Sequence, residues 1–407
     1  MLRRCTWASL QIPTNGAAIT RKSVPIPSKQ MSSVTKREDD ACPISVAPMM
    51  EVTTRPFRRM MRLLTKKTWL YTEMVVAGSV LHAGDELLPF DAQEHPITVQ
   101  LGGSDPEALA KAAVLCEKQG YDAINLNCGC PSERVSAGCF GASLMKRPDH
   151  VAEICRQMIE AVDIPVAVKC RIGVDDVDSY EHLCEFVSTV SATGVKHFAI
   201  HARKALLNGI GTKANRSIPP LRYDVVYQLC EDFPHLKFSI NGGITTLEDA
   251  RKHLSTSKLC GVMIGRAAYK DPWQFHRADE LFFGDPTQEG ITRRTVAEQY
   301  LAYADEEIQA RIHHLGDRLT LPKINSNIAE LLKPLFWLYA GVAGAKRLRI
   351  KACDEHLLFR QEMKKRWPNV DLTAIKVSPL VHEALDLVDM YAARSPRGMQ
   401  DAFQAEE

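Results

Sequence analysis

Polar residues punctuate a series of short apolar runs in this chain, and two of these stops have the composition of an anion cradle. Asn241-Gly242-Gly243 follows Phe238-Ser239-Ile240, and Gly265-Arg266 follows Val262-Met263-Ile264. Glycines let backbone N–H groups approach an anion, and Arg266 adds a full positive charge. A lone Gly-Gly is an ordinary turn. Two glycine-bearing stops after consecutive runs point instead to phosphate, and so to a mononucleotide. Earlier stops carry Ala47-Pro48-Met49, Gln100, Asn125-Leu126-Asn127-Cys128-Gly129-Cys130-Pro131, Lys169-Cys170-Arg171 and His201-Ala202-Arg203. Gln100 can donate to and accept from the pyrimidine edge of an isoalloxazine ring, and Lys169 suits the place where negative charge gathers on a reduced flavin. His201 can serve cofactor or substrate. Each is ambiguous alone, since a single strand-end Lys is as often a salt-bridge partner; their order along the chain makes the reading specific.

That order requires elements to hold it. Eight β-rich runs recur: Ile44–Ala47, Trp69–Thr72, Ile97–Gln100, Ala123–Leu126, Val166–Lys169, Phe198–His201, Phe238–Asn241 and Gly261–Ile264. Between most of them lie amphipathic helical patterns such as Pro106–Lys118, Pro148–Ala161, Tyr180–Ala192 and Tyr223–Asp232. Eight buried strands alternating with helices predict an α/β fold, a closed parallel (β/α)8 TIM barrel. An open doubly wound sheet is the alternative, but its G-x-G-x-x-G fingerprint is missing. Barrels place their chemistry at the C-terminal strand ends, with phosphate after strands seven and eight, which is where the polar stops fall. FMN is the mononucleotide that barrels of this layout commonly hold.

After about Gly284 the strand signals give way to helical patterns over Thr295–Arg311, Asn325–Tyr339, Cys353–Arg366 and Val381–Ala393. The expected organisation is a barrel over residues 41–284, a small all-helical C-terminal domain over 285–394, and a polar tail over 395–407. Residues Lys333 to Arg366 include nine Lys or Arg against three acidic residues, although the whole chain carries only +2. Charge alone would make this a solvated helix face; an RNA partner would give it a purpose. Residues 1–40 form a basic leader whose first acid is Glu38. Its composition suits a mitochondrial or plastid transit peptide, or a loose extension of a cytoplasmic protein, and Met31 offers an internal start. The 12 cysteines include no C-x-x-C pair, so neither a metal site nor a disulfide framework is expected. No run approaches the roughly 20 apolar residues that span a bilayer. A monomer without membrane contact is expected.

The cysteine-bearing segment, with Val135, Gly141-Ala142 and Leu144, resembles the signature of the tRNA-dihydrouridine synthase family, N-x-N-x-G-C-P followed by V and G-A-x-L. Its A-type subgroup is resembled by Ser45-Val46-Ala47-Pro48-Met49, Tyr71-Thr72-Glu73-Met74, His201-Ala202-Arg203-Lys204-Ala205, Asn215-Arg216-Ser217-Ile218-Pro219-Pro220-Leu221 and Gly341-Val342-Ala343-Gly344-Ala345. The resemblance runs from about Ile44 to Ile350. It departs at Met50-Glu51, where Leu-Asp is more usual, and at Cys128 and Cys139, where others carry apolar residues.

The resemblance implies that Pro48, Met49 and Met50 lie against FMN, that Gln100, Lys169 and His201 contact it, and that Asn241, Gly242, Gly243, Gly265 and Arg266 hold its phosphate end. It makes Cys130 the proton donor, Asn127 the holder of the substrate base, and Lys213, Arg216, Lys346 and Arg349 the grip on tRNA, with uridine 20 of the D-loop and its neighbour as targets. Lys346 and Arg349 are three apart and share a helix face. The chemistry is consistent: saturating the C5=C6 bond of uracil needs hydride at C6, which a flavin supplies, and a proton at C5. An unperturbed thiol, with a pKa of about 8.5, is mostly protonated at pH 7 and can give it. NADPH is the expected reductant, though no nicotinamide site is legible. Two other readings share part of the pattern. One is a flavin barrel of the dihydroorotate or dihydropyrimidine dehydrogenase type acting on a free pyrimidine; the other is an RNA chaperone that has lost its flavin.

Overall fold

A computed structural model describes residues 42–83 and 89–393, so the leader, Met31 and the tail from Ser395 lie outside the described residues. Eight strands form one parallel sheet: β1 (Ile44–Val46), β2 (Leu70–Val76), β3 (Ile97–Gly102), β4 (Ala123–Cys128), β5 (Val166–Arg171), β6 (His197–His201), β7 (Lys237–Asn241) and β8 (Gly261–Ile264). Each expected run is a strand. They form because most are short, almost wholly buried runs, apolar enough to be covered on both faces, as a parallel barrel demands; β2 is buried only over Leu70–Thr72 and runs out to exposed Val76. The sheet runs from β1 through β8 down to β2. Its edges meet at Trp69, where the Val46 N–H donates to the Trp69 carbonyl at 2.9 Å and the Trp69 N–H to the Ile44 carbonyl at 3.1 Å. That seam closes the barrel.

Local signals explain where the outer helices begin and end. Pro106–Gln119 starts with Pro in its first turn, is capped by the Asp105 carboxylate accepting from the N–H groups of Glu107 and Ala108, and stops at Gly120 with φ of 92°. Leu247–Thr256 follows β7 and is capped by the Thr246 hydroxyl, which accepts the Asp249 N–H.

Four long helices follow the barrel: Arg293–Leu315, Leu321–Leu338, Ala345–Arg366 and His382–Ala393. The second begins earlier than the apolar pattern from Asn325 suggests, because Pro322 sits in its first turn, where a missing N–H costs nothing. The third begins eight residues before Cys353, directly after Gly344 at φ 87°. Its first turns carry exposed Lys346, Arg347, Arg349 and Ile350, so apolar periodicity is masked there. The first two of these pack on the helix Arg55–Leu64, which joins β1 to β2, while Ala345–Arg366 packs on Leu321–Leu338 and on His382–Ala393. Phe57 meets Trp337 edge-on at 5.6 Å, and the Arg59 guanidinium lies 5.1 Å from the Tyr303 ring centre. Among the described residues no helix is long and apolar enough to cross a membrane.

Candidate active site

The C-terminal strand ends surround one cavity of about 1340 Å³. Its floor is a chain of amide side chains. Asn125 and Asn127 alternate on β4 and so project on the same face of the sheet. Gln100, register partner of Asn125, donates its Nε2 to Asn125 Oδ1 at 2.8 Å, and Asn127 Nδ2 donates to Gln100 Oε1 at 2.8 Å. Asn127 Oδ1 then accepts the N–H groups of Gly129 and Cys130 at 3.1 and 3.0 Å. The loop bearing the thiol is therefore fastened to two strands. Cys130 Sγ faces the cavity and donates to Ser132 Oγ at 3.5 Å.

Cations line the other wall. Lys169 donates to Asn241 Oδ1 at 3.1 Å, while Asn241 Nδ2 donates to the Met263 carbonyl at 2.7 Å. Burial, followed by repulsion from Arg171, lowers the Lys169 ammonium from 10.5 to about 8. Burial and the charges of Arg171, Lys169, Arg203 and Arg266 hold His201 well below the usual imidazole range, so it is neutral at pH 7. Its Nδ1 is buried with no hydrogen-bond partner. Gly242 and Gly243 adopt φ of 112° and 75°; a Cβ on Gly243 would stand 2.5 Å from Leu221 and 2.8 Å from the Tyr223 hydroxyl. That hydroxyl donates to the Gly242 carbonyl at 2.6 Å. Gly265 leads straight into the short helix Arg266–Lys270.

A model of the family described as dihydrouridine synthase matches residues 45–357. The chain belongs to the dihydrouridine synthase family. It is similar to the tRNA-dihydrouridine(20/20a) synthase of Shewanella oneidensis, 46% identical over 305 residues that cover 75% of this chain and 86% of that one. The corresponding synthase of Vibrio parahaemolyticus is 49% identical over 312 residues, covering 76% and 90%, and that of Escherichia coli K12 is 45% identical over 306 residues, covering 75% and 84%. Members are oxidoreductases, and the A-type resemblance read from the motifs agrees with these relatives.

In this dihydrouridine synthase the cavity gathers Pro48, Met49, Met50, Gln100, Asn127, Cys130, Lys169, His201, Arg216, Asn241, Gly242, Gly243, Gly265 and Arg266. Lys213, Lys346 and Arg349 lie outside it and are exposed. Lys213 precedes the turn Ala214–Arg216. Arg216 turns inward, with its Nε buried and unpartnered and its carbonyl accepting Arg266 Nη2 at 3.2 Å. Lys346 and Arg349 both lie in the helix Ala345–Arg366, with the Arg349 guanidinium 5.8 Å from the Phe336 ring centre.

Three further residues, Arg171, Asn215 and Tyr223, shape the site through contacts that the sequence does not announce. Arg171, at a polar strand stop, is 4% exposed and binds only backbone: Nε donates to the Gly129 carbonyl, and Nη1 to those of Lys204 and Asn215, each at 3.0 Å. Asn215 is fully buried and pins its own loop, accepting the Leu206 N–H at 2.8 Å and donating to the carbonyls of Leu206 and Ile210. Tyr223, which in the sequence marks only the start of a helical pattern, is the third, through its bond to Gly242. No sequence signal marks a side chain whose partners are carbonyls of distant loops.

Proposed function

We propose that this enzyme reduces uridine to 5,6-dihydrouridine in the D-loop of tRNA, with FMN bound in the cavity and NADPH as reductant. By the names of its relatives, the targets are positions 20 and 20a. The observation that carries the reading is the shared cavity, into which a fastened thiol, an array of cations and a double-glycine turn all open. The residues present fit FMN. Gly242 and Gly243, whose positive φ and close neighbours Leu221, Tyr223 and His201 leave no room for a Cβ, line the same cavity as Arg266, and the unpartnered His201 Nδ1 awaits a polar partner. Asn241, Gly242, Gly243, Gly265 and Arg266 would hold the phosphate. Pro48, Met49, Met50, Gln100, Lys169 and His201 would meet the ring system.

Bound there, the reduced flavin supplies hydride to C6 of the uracil ring. The chain's own task is the proton. Cys130 holds it on Sγ, gives it to C5, and leaves a thiolate in the field of Arg171 and Lys169. Asn127 has one Nδ2 hydrogen beyond its bond to Gln100 and can present it to a carbonyl of the base. A base in a folded tRNA must leave its stack to enter the cavity. Lys213, Arg216, Lys346 and Arg349 would hold the RNA by its phosphates, which position rather than specify.

The test is to supply the FMN-loaded protein with NADPH and unmodified tRNA and map the product by mass spectrometry. Dihydrouridine at 20 and 20a is expected. Reduction of free uridine or uracil as readily as tRNA would overturn the reading in favour of a free-pyrimidine reductase.

A further inference from the structure

A partly buried charge network joins the helical region to the Met49–Thr53 loop on the cavity wall. Glu307, in Arg293–Leu315, is only 6% exposed, and Glu94, on the barrel side, is fully buried. Arg55 bridges them, with Nη1 3.1 Å from Glu307 and Nε 3.7 Å from Glu94. On the barrel side, Arg58 pairs with Glu94 at 2.5 Å and donates Nη1 to the Thr53 carbonyl at 2.8 Å. The Thr53 hydroxyl in turn exchanges hydrogen bonds with the Met49 backbone, accepting its N–H at 3.0 Å and donating to its carbonyl at 3.1 Å. Met49 lines the cavity. On the helical side, Arg311 clamps Glu307 at 2.8 Å and Glu330 at 2.9 Å. The path runs from two C-terminal helices to the wall of the active site, its Arg55–Glu94 step being an ion pair at 3.7 Å in which Arg55 Nε makes no hydrogen bond.

Stability does not account for it. Desolvating buried ions roughly offsets their attraction, and apolar packing such as Phe57 on Trp337 already joins the two regions. In some proteins buried ion pairs choose one arrangement among several that apolar packing would allow. We infer that Glu94 and Glu307, linked through Arg55, are positioning residues that hold the helical region in one register on the Met49–Thr53 loop. RNA held by the exposed Lys346 and Arg349 is thereby delivered with its base at Cys130. This rests on the function proposed above.

The test uses the full-length, FMN-loaded protein carrying Glu307→Gln, Arg55→Met or Glu307→Asp. For the first two, kcat with tRNA should fall by about 10–100-fold, the scale of a small misplacement at the reacting centre. Removing one partner of a buried pair lowers stability, so the assays are run well below each variant's thermal midpoint; there FMN content and the rate of flavin bleaching by NADPH, neither of which needs the RNA in register, should stay within about twofold of wild type. Glu307→Asp, which keeps the charge, should recover much of the loss. Wild-type turnover of tRNA in both neutralised variants would overturn the inference. So would a loss that merely tracks FMN release or thermal destabilisation, which would mark the network as structural. If Glu307→Gln fails to fold, Arg55→Met decides the matter. Wild-type protein that leaves tRNA unmodified while NADPH bleaches its flavin would overturn the proposed function itself, a result distinguishable from failure in the variants alone.

Discussion

Lys169 Nζ on β5 reaches Asn241 Oδ1 on β7 at 3.1 Å, passing over the intervening strand β6. The bond fixes the ammonium to the residue that opens the glycine cradle, with no carboxylate among the described residues as its partner. With its ammonium lowered to about 8, Lys169 is charged below that pH and neutral above it. An anionic ligand favours the charged form, so above pH 8 the cofactor must bind with proton uptake. FMN affinity of the apo-protein should be level below about pH 7 and fall through pH 8, by up to about tenfold per further unit. Fluorescence titration of FMN across this range checks it, and Lys169→Met should flatten the profile. A falling profile that survives the substitution would assign the pH dependence to another group.

Tyr223→Phe should weaken FMN by roughly fivefold to tenfold, since one hydrogen bond to the Gly242 carbonyl is worth about 1 kcal/mol. Gly243→Ala should do more, because its Cβ would meet Leu221 and Tyr223 at a backbone angle that L-residues rarely adopt. Equilibrium dialysis of FMN, with melting curves beside it, separates loss of the cofactor from loss of the fold.

Cys130→Ala should retain FMN and tRNA binding while dihydrouridine formation in a single turnover slows by about 100-fold or more. Cys139→Ala, at an exposed position, and Cys128→Ala, buried in β4, should keep most activity. Unchanged product formation in Cys130→Ala would require another acid. The neutral, poorly basic His201 would be a weak substitute.

Replacing Lys346 and Arg349 together by Ala should weaken tRNA binding and lower the slope of log affinity against log salt by roughly one for each phosphate that is no longer neutralised. FMN content should not move, since neither side chain reaches the cavity. Filter binding at several salt concentrations reads both quantities. Affinity and slope equal to wild type would move the RNA surface elsewhere.

The strands are legible in the sequence because they are short β-rich runs, most of them buried and followed closely by polar or glycine residues, and Asn125 and Asn127 are two apart and so share a face. The seam at Trp69 is not legible, because one bridging residue looks like the start of an ordinary strand. The early start of Ala345–Arg366 is hidden by charge, since a basic exposed turn carries no apolar period. Arg171, Tyr223 and the Arg55 bridge are invisible for a common reason: their partners lie far along the chain and, for the first two, are carbonyls that every residue possesses. Sequence shows which side chains are present, and these interactions depend on where the backbone returns.

The Arg171 clamp has a consequence for how this enzyme can diversify. It ties the cysteine loop to the loop carrying Lys213 and Arg216 through the carbonyls of Gly129, Lys204 and Asn215, and is indifferent to the side chains at the first two. Apart from Gly209, whose φ of 85° favours glycine, the residues from Asn208 to Lys213 can therefore be rewritten to suit a different RNA surface while the thiol stays in place, provided Asn215 keeps the loop's path. Arg171 itself is not exchangeable on these terms. A lysine there presents one point charge and no fork, and cannot reach three carbonyls in the same directions. A library randomised over that stretch, with Gly209, Arg171 and Asn215 held constant, is where altered substrate choice should arise without loss of the acid.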